Sequence, residues 1–338
     1  MKKVNNRRSF IKKTAAAGIG LGLINQTALF SNPVQDKKRI GMIGLDTSHS
    51  VAFTKEFNSP EATADLNGYK IVAAYPHGSR DIQSSVERIP AYTEEVKKLG
   101  VEIVDSIEEL LKKVDVVLLE TNDGRLHLEQ ALPVLKAGKR LFIDKPMAAS
   151  LKDALAIFME AERRKVPVLS CSSLRYLVSA QEVVKGKGGK VLGAFSFSPS
   201  PIEKTHPDFF WYGIHGVEIL YTVMGIGCKE VTRVSTADSD VVSGVWGDGR
   251  IGTFKGIRAG KNDYGGIVFG EKAVTSLGSY DGYKNMLVEI VKFFDSGKPP
   301  ITAQETIEIL AFMEAADESK RLNGKAVTIE SMMERAKK

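Results

Sequence analysis

From Lys38 to Cys171 the chain alternates short apolar runs with helical stretches, and nothing between them reads as a hairpin. This alternation constrains the fold more than any other feature. Parallel strands need a crossover connection, and the intervening helices supply it. Arg39 to Leu45 and Tyr69 to Tyr75 read as strands, with a helix from about Ser50 between them. Glu94 to Leu99 is helical and Glu102 to Val104 extended, and Ser106-Ile107-Glu108-Glu109 opens a helix to Lys112 as a capping box. Val114 to Leu119 is apolar at five positions of six, as expected of a strand covered on both faces. A helix from Leu126 to Ala137, a strand from Arg140 to Ile143, a helix from Ser150 to Lys165 and a strand from Val166 to Cys171 complete the series. The expected fold is α/β, a doubly wound parallel sheet over residues 36–172.

After Ser172 the texture changes. Val191 to Ser198, Glu230 to Ala237, Val241 to Trp246, Ile251 to Ile257 and Ile267 to Phe269 read as strands. Asp248-Gly249 between two of them is a hairpin signal. Helices at Ile214 to Met224 and Met286 to Phe294 interrupt the strands, and Thr302 caps a long helix to Leu322. Residues 173–338 are therefore expected to form an α+β domain with a mostly antiparallel open sheet, its last helix free to pack back on the first domain.

Residues 1–35 stand apart. Arg7-Arg8-Ser9-Phe10-Ile11-Lys12 precedes a small-residue apolar run from Thr14 to Ile24, which resembles a twin-arginine export leader. That run is shorter than the ~20 residues a permanent membrane helix needs. The leader places the protein in the periplasm or beyond, delivered by the export machinery. It also accounts for the charge. Its six bases, taken from 47 Lys and Arg, leave 41 against 41 acids, so the body is neutral and nucleic acid is not an expected partner. Cys171 and Cys228 each sit in apolar sequence and read as two separate buried thiols.

The first strand runs into Gly44-Leu45-Asp46-Thr47-Ser48-His49. A dinucleotide turn wants glycine at the positions of Gly44, Asp46 and His49, and only the first is glycine. A carboxylate ~5 Å from a phosphate costs about 3 kcal/mol at an effective dielectric of ~20. Against this, Thr47 and Ser48 offer hydroxyls at a helix N-terminus. The alternative is that Asp46 simply caps the helix and turns away from any ligand. The second strand ends without the usual ribose-binding acid, while Ser79 and Arg80 offer a place for a 2′-phosphate, so NAD and NADP both stay open. Asp46, His49 and His77 have no ligand spacing, and no metal site is expected.

Thr121 to His127, then Ala137-Gly138-Lys139 and Asp144-Lys145-Pro146, resemble the glucose-fructose oxidoreductase / inositol dehydrogenase (Gfo/Idh/MocA) family. Arg175-Tyr176 and the His215 helix resemble its later signatures. The resemblance implies a Rossmann dinucleotide-binding domain at 36–172 and a substrate and oligomerisation domain at 173–338. It implies Lys145 and His215 as catalytic groups. Gly44, Asp46, Thr47, Ser48, Asn122, Asp144, Lys145 and Pro146 would hold NAD or NADP, and His127, Arg175, Tyr176, Trp211, Tyr212 and Glu218 would line a carbohydrate site. Burial beside nicotinamide would lower the Lys145 pKa, with Asp144 pointing to the opposite face. Glu218, one helical turn from His215, would orient it. Asp144 replaces the family's usual Glu, and Trp211 replaces an Asp four residues before the histidine. A homo-oligomer is implied by analogy.

The expected function is hydride transfer on a sugar, polyol or glycoside, with a tightly bound cofactor recycled in place because free nucleotide is scarce after export. Two alternatives remain open: a redox-neutral lyase or glycosidase using bound NAD, and a carbohydrate-binding relative that has lost its cofactor.

Overall fold

The structure is a computed structural model that describes residues 38–338; the segment read as an export leader lies outside the described residues. Six strands form the first sheet: β1 (Arg39–Ile43), β2 (Lys70–Tyr75), β3 (Glu102–Ile103), β4 (Val116–Leu119), β5 (Leu141–Ile143) and β6 (Val168–Ser170). Their order is β3-β2-β1-β4-β5-β6, all parallel, so chain direction across the sheet reverses between β1 and β4. Crevices at such a reversal, outside the carboxyl ends of the strands, are where α/β sheets bind ligands. Burial explains why these strands read so clearly. Every residue of β4, β5 and β6 is buried, as helices on both faces require.

The crossovers are α1 (Ser48–Asn58), α2 (Gln83–Val86), α3 (Ile89–Lys98), α4 (Ile107–Lys113), α5 (His127–Lys136) and α6 (Leu151–Arg164). Their starts follow the sequence. The Ser106 and Ser150 hydroxyls accept the N–H groups of Glu109 and Asp153, each satisfying a first-turn donor. The helix read from Glu94 begins earlier, at Ile89, because Pro90 takes a first-turn position where its missing N–H costs nothing.

Beyond α7 (Val178–Val184) comes the second sheet: β7 (Val191–Pro199), then α8 (Ile214–Met224), β8 (Cys228–Ser235), β9 (Ser239–Trp246), β10 (Ile251–Ile257), β11 (Gly265–Gly270) and β12 (Val274–Leu277). After α9 (Lys284–Ser296) and α10 (Ala303–Arg321), β13 (Val327–Thr328) completes the sheet and α11 (Ile329–Ala336) ends the chain. The order is β12-β11-β7-β10-β9-β8-β13, antiparallel except for the β7–β10 pair. Asp248-Gly249 does turn a hairpin, with Ile251 opposite Val245 and Gly249 at a φ of 88°.

One face of the second sheet packs on α8 and α10, and this core continues into the α5–α6 side of the first sheet. α9 returns to cover the opposite face of the first sheet, burying Met286, Leu287, Ile290 and Phe293 against Ile40, Met42 and Leu118. Residues 38–338 accordingly lie within one compact unit. Cys171 and Cys228 are both free and buried. Among the described residues no helix is long and apolar enough to cross a membrane.

Candidate active site

The site grows from the turn after β1. Gly44 has a φ of 87°, and a Cβ there would lie 2.5 Å from Thr121, so only glycine lets this turn press on the end of β4. Asp46 follows, fully buried. Its carboxylate accepts the backbone N–H of Ser79 at 2.7 Å and that of Asn122 at 2.9 Å, tying the loop after β2 to the loop after β4. Gly78 packs so tightly that a Cβ would lie 2.2 Å from Asp46 Oδ2. Burial pushes the Asp46 pKa up, opposed by the two N–H donors. Asp46 is therefore not the helix cap. That place belongs to Thr47, whose side chain accepts the His49 N–H.

His49 turns inward from α1 toward two acids at the strand ends. Its Nδ1 lies 3.1 Å from Asp144 Oδ2 and 3.5 Å from Glu120 Oε2. Burial disfavours its charge, but Asp144 and Glu120 outweigh burial and raise its pKa to about 10. Burial lifts Glu120 to about 7, while His49 and Lys145 hold Asp144 low against its own burial.

Lys145 Nζ lies 3.4 Å from Asp144 Oδ2, which corrects two expectations. The strand ends at Ile143, so alternation no longer sends Asp144 and Lys145 to opposite faces. The Lys145 pKa is raised rather than lowered: burial works against its charge, and Asp144 overcomes it. His215, in the first turn of α8, has Nδ1 2.7 Å from the Ser172 hydroxyl. Burial, reinforced by Lys145, lowers its pKa well below the usual histidine value. Glu218 does not orient it. That acid pairs with buried Arg175 at 2.5 Å, and Arg175 also reaches Glu305 at 2.6 Å.

A cavity of about 340 Å³ opens at the point where strand order reverses. It brings together Thr47, Ser48, Asn122, Lys145, Trp211, Tyr212 and His215, all named from sequence. Sequence reasoning missed Ser84, Arg88, Tyr264, Tyr280 and Tyr283, which also line it, and assigned His49 no place there. The tyrosines come from loops with no motif: Tyr264 precedes β11, and Tyr280 and Tyr283 follow β12. Tyr212 and Tyr264 join hydroxyl to hydroxyl at 2.7 Å.

Other expected residues lie elsewhere. His127 is buried, with its ring nitrogens against the carbonyls of Thr121 and Met147, and so pins the loops behind the site. Arg175 and Tyr176 line a separate groove of about 930 Å³ that holds neither Lys145 nor His215. Gly44, Asp46, Asp144 and Pro146 do not line the cavity. Ser79 and Arg80 do not offer a phosphate site: Ser79 is buried against Asp46 and Asp123, and Arg80 pairs with Glu129 at the surface.

The cavity's donors suit a nicotinamide and its diphosphate. Asp46 is turned beneath the turn, the first turn of α1 carries no acid, and Thr47, Ser48 and Arg88 face the space. A parallel doubly wound sheet, a reversal-point crevice and a basic and an imidazole side chain within it have the form of a dinucleotide-binding fold. The model of the GFO_IDH_MocA oxidoreductase family, NAD-binding Rossmann fold, matches residues 19–171. A 1,5-anhydro-D-fructose reductase of Ensifer adhaerens is 31% identical over 122 residues, 34% of this chain and 36% of that protein. The match thus spans about a third of the length of that curated relative.

Solved structures share the fold over most of the chain. A probable dehydrogenase from Thermotoga maritima superposes with a TM-score of 0.71 at 19% identity, covering 87% of this chain and 99% of that one. Scyllo-inositol dehydrogenase from Lactobacillus casei, solved with NAD(H) and scyllo-inositol, gives 0.68 at 18% identity, covering 87% and 99%.

Proposed function

We propose that the protein is an NAD(P)-dependent oxidoreductase acting on one carbon of a sugar, polyol or glycoside. The observation carrying this reading is a single cavity that joins the α1 N-terminus, Lys145 and His215 to a wall of aromatic rings. A bound nicotinamide would supply or accept the hydride. With Nδ1 engaged by Ser172, the other ring nitrogen of His215 is free to take the hydroxyl proton. Burial keeps that ring neutral and ready to accept. Lys145, kept charged by Asp144, donates to the reacting oxygen. Trp211 and Tyr212 offer ring faces to the C–H side of a sugar.

The cofactor is held tightly and loaded before export, since the twin-arginine route carries folded protein. The family match and the reductase relative support the redox class; the inositol dehydrogenases among the structural neighbours suggest a polyhydroxylated substrate. The deciding experiment measures nucleotide released by denaturing gently purified protein. About one NAD or NADP per chain is expected. No released nucleotide, together with no binding of added NAD(P), would sink the reading. His215→Asn should retain the cofactor and lose about 10²–10⁴ in kcat. Replacing Arg7 and Arg8 with lysine should leave the protein in the cytoplasmic fraction, and unchanged export would remove the leader assignment.

A further inference from the structure

Three buried side chains meet at the cavity wall with ion contacts but no well-formed hydrogen bond. Glu120 follows β4, Asp144 follows β5, and His49 reaches them from α1. Backbone bonds fix both acids in place: Glu120 N–H donates to the Ile43 carbonyl at 2.7 Å, and Asp144 N–H to the Leu119 carbonyl at 2.9 Å. Both acids are 0–1% exposed, yet their four carboxylate oxygens and His49 Nδ1 make no well-formed hydrogen bond, and their only polar neighbours are one another and Lys145. Buried carboxylates are ordinarily paired, bonded or bound to a cation. Lys145 reaches Asp144 alone among the two, at 3.4 Å.

The spacing suits a cation. One ligand atom from each of His49, Glu120 and Asp144 can be chosen so that all lie within 4.8 Å of one another. Metal–nitrogen and metal–oxygen bonds of about 2.0–2.2 Å set neighbouring ligand atoms about 2.9–3.5 Å apart. The observed Nδ1 separations, 3.1 Å to Asp144 Oδ2 and 3.5 Å to Glu120 Oε2, fall within that range.

We propose that His49 Nδ1, Glu120 and Asp144 bind one divalent transition-metal ion of the Zn²⁺ or Mn²⁺ class. An imidazole with two carboxylates suits these ions better than Mg²⁺ or Ca²⁺, which favour oxygen alone. His49 and Lys145 line the cavity, so the ion's remaining positions open toward it and take a hydroxyl or carbonyl oxygen of the ligand. Lys145, 3.4 Å from Asp144 Oδ2, balances that carboxylate's charge from outside the ion. The cluster differs from the Asp46–His49–His77 grouping set aside above: Asp46 is occupied by backbone N–H groups, and His77 is exposed at the end of β2. The inference stands apart from the redox reading, because the three ligands are present with or without a dinucleotide.

The test uses full-length protein stripped with a chelator. Titration with MnCl₂ followed by electron paramagnetic resonance, and with ZnCl₂ by calorimetry, should give one ion per chain. Saturating metal should raise the melting temperature by about 4 °C. Co²⁺ loading of the unmutated protein should give visible bands of a nitrogen–oxygen ligand set. Glu120→Gln, which replaces an unbonded carboxylate with an amide of the same shape, should fold and weaken the metal by tenfold or more. Absence of binding to the unmutated protein overturns the site, as does a Glu120→Gln variant that binds like the parent. Nucleotide content of the same samples keeps this outcome separate from that of the redox reading.

Discussion

Single residues decide the turn after β1, and Asp46 shows how. Read along the chain it is a glycine replaced by an adverse charge. In the fold it accepts two backbone N–H groups from loops 33 and 76 residues away. Asp46→Ala strands both donors, at about 1–3 kcal/mol each, and Gly78→Ala forces a methyl against the carboxylate at about 1–3 kcal/mol. Together they should cost less than their sum, because removing the carboxylate makes room for the methyl; a double-mutant cycle in urea showing strict additivity would refute this packing. His215 gives the pH signature. Its folded pKa lies below its unfolded value, so the unfolded chain takes up the extra proton as pH falls below about 6.5. The parent should lose stability relative to His215→Gln between pH 6.5 and 5, and parallel melting curves over that window would place a charged ring there instead. Lys145 and His215 were legible because their motifs sit at a strand end and a helix start. Glu120 was not, although an acid closing an apolar strand is itself a signal of a buried charge.

At the scale of elements, what the sequence carried well was local chemistry. Ser150 and Thr302 cap α6 and α10 by accepting the N–H groups of Asp153 and Glu305. β4 stood out because covering on both faces demands unbroken apolar sequence. α7 was illegible for the converse reason: Val178 and Val184 are exposed and blur its apolar face. β12 leaves only Leu277 buried, too little for a pattern. Long-range ion pairing was equally hidden. Arg233 of β8 is fully buried and reaches Asp240 of β9 at 2.9 Å, Asp317 of α10 at 2.6 Å, and Asp208 at 2.6 Å. Its guanidinium also stacks 4.1 Å over Phe209, in the segment that leads to Trp211 and Tyr212. Arg233→Met should cost about 3 kcal/mol in urea unfolding, since it removes the buried cation that three acids share, although Arg258 still meets Asp240 and Lys320 still meets Asp208. It should also raise KM more than it lowers kcat, because the aromatic wall loosens while His215 stays on α8. A kcat loss at constant KM would mean this hub acts on the chemistry instead.

Taken whole, the molecule does not divide where its texture changes. The sequence turns from parallel to antiparallel character near Ser172, and the two sheets follow that change, but later helices cross back. α9 buries Met286, Leu287, Ile290, Val291, Phe293 and Phe294 on the first sheet, and Glu314 of α10 accepts the Leu151 N–H at the start of α6 at 2.8 Å. No local pattern announces this, because an apolar helix face does not say which sheet it covers. Six such side chains, at roughly 1.5–3 kcal/mol each, amount to about 10 kcal/mol or more of burial. That is comparable to the 5–15 kcal/mol that holds an ordinary domain folded. Residues 38–172 expressed alone should therefore fail to fold, binding hydrophobic dye and lacking dispersed amide resonances. The chain from residue 38 to 338 should melt in one calorimetric transition whose two enthalpies agree. Two separated transitions, or a fragment with a cooperative melt of its own, would show that the first sheet is self-sufficient and that α9 merely rests on it.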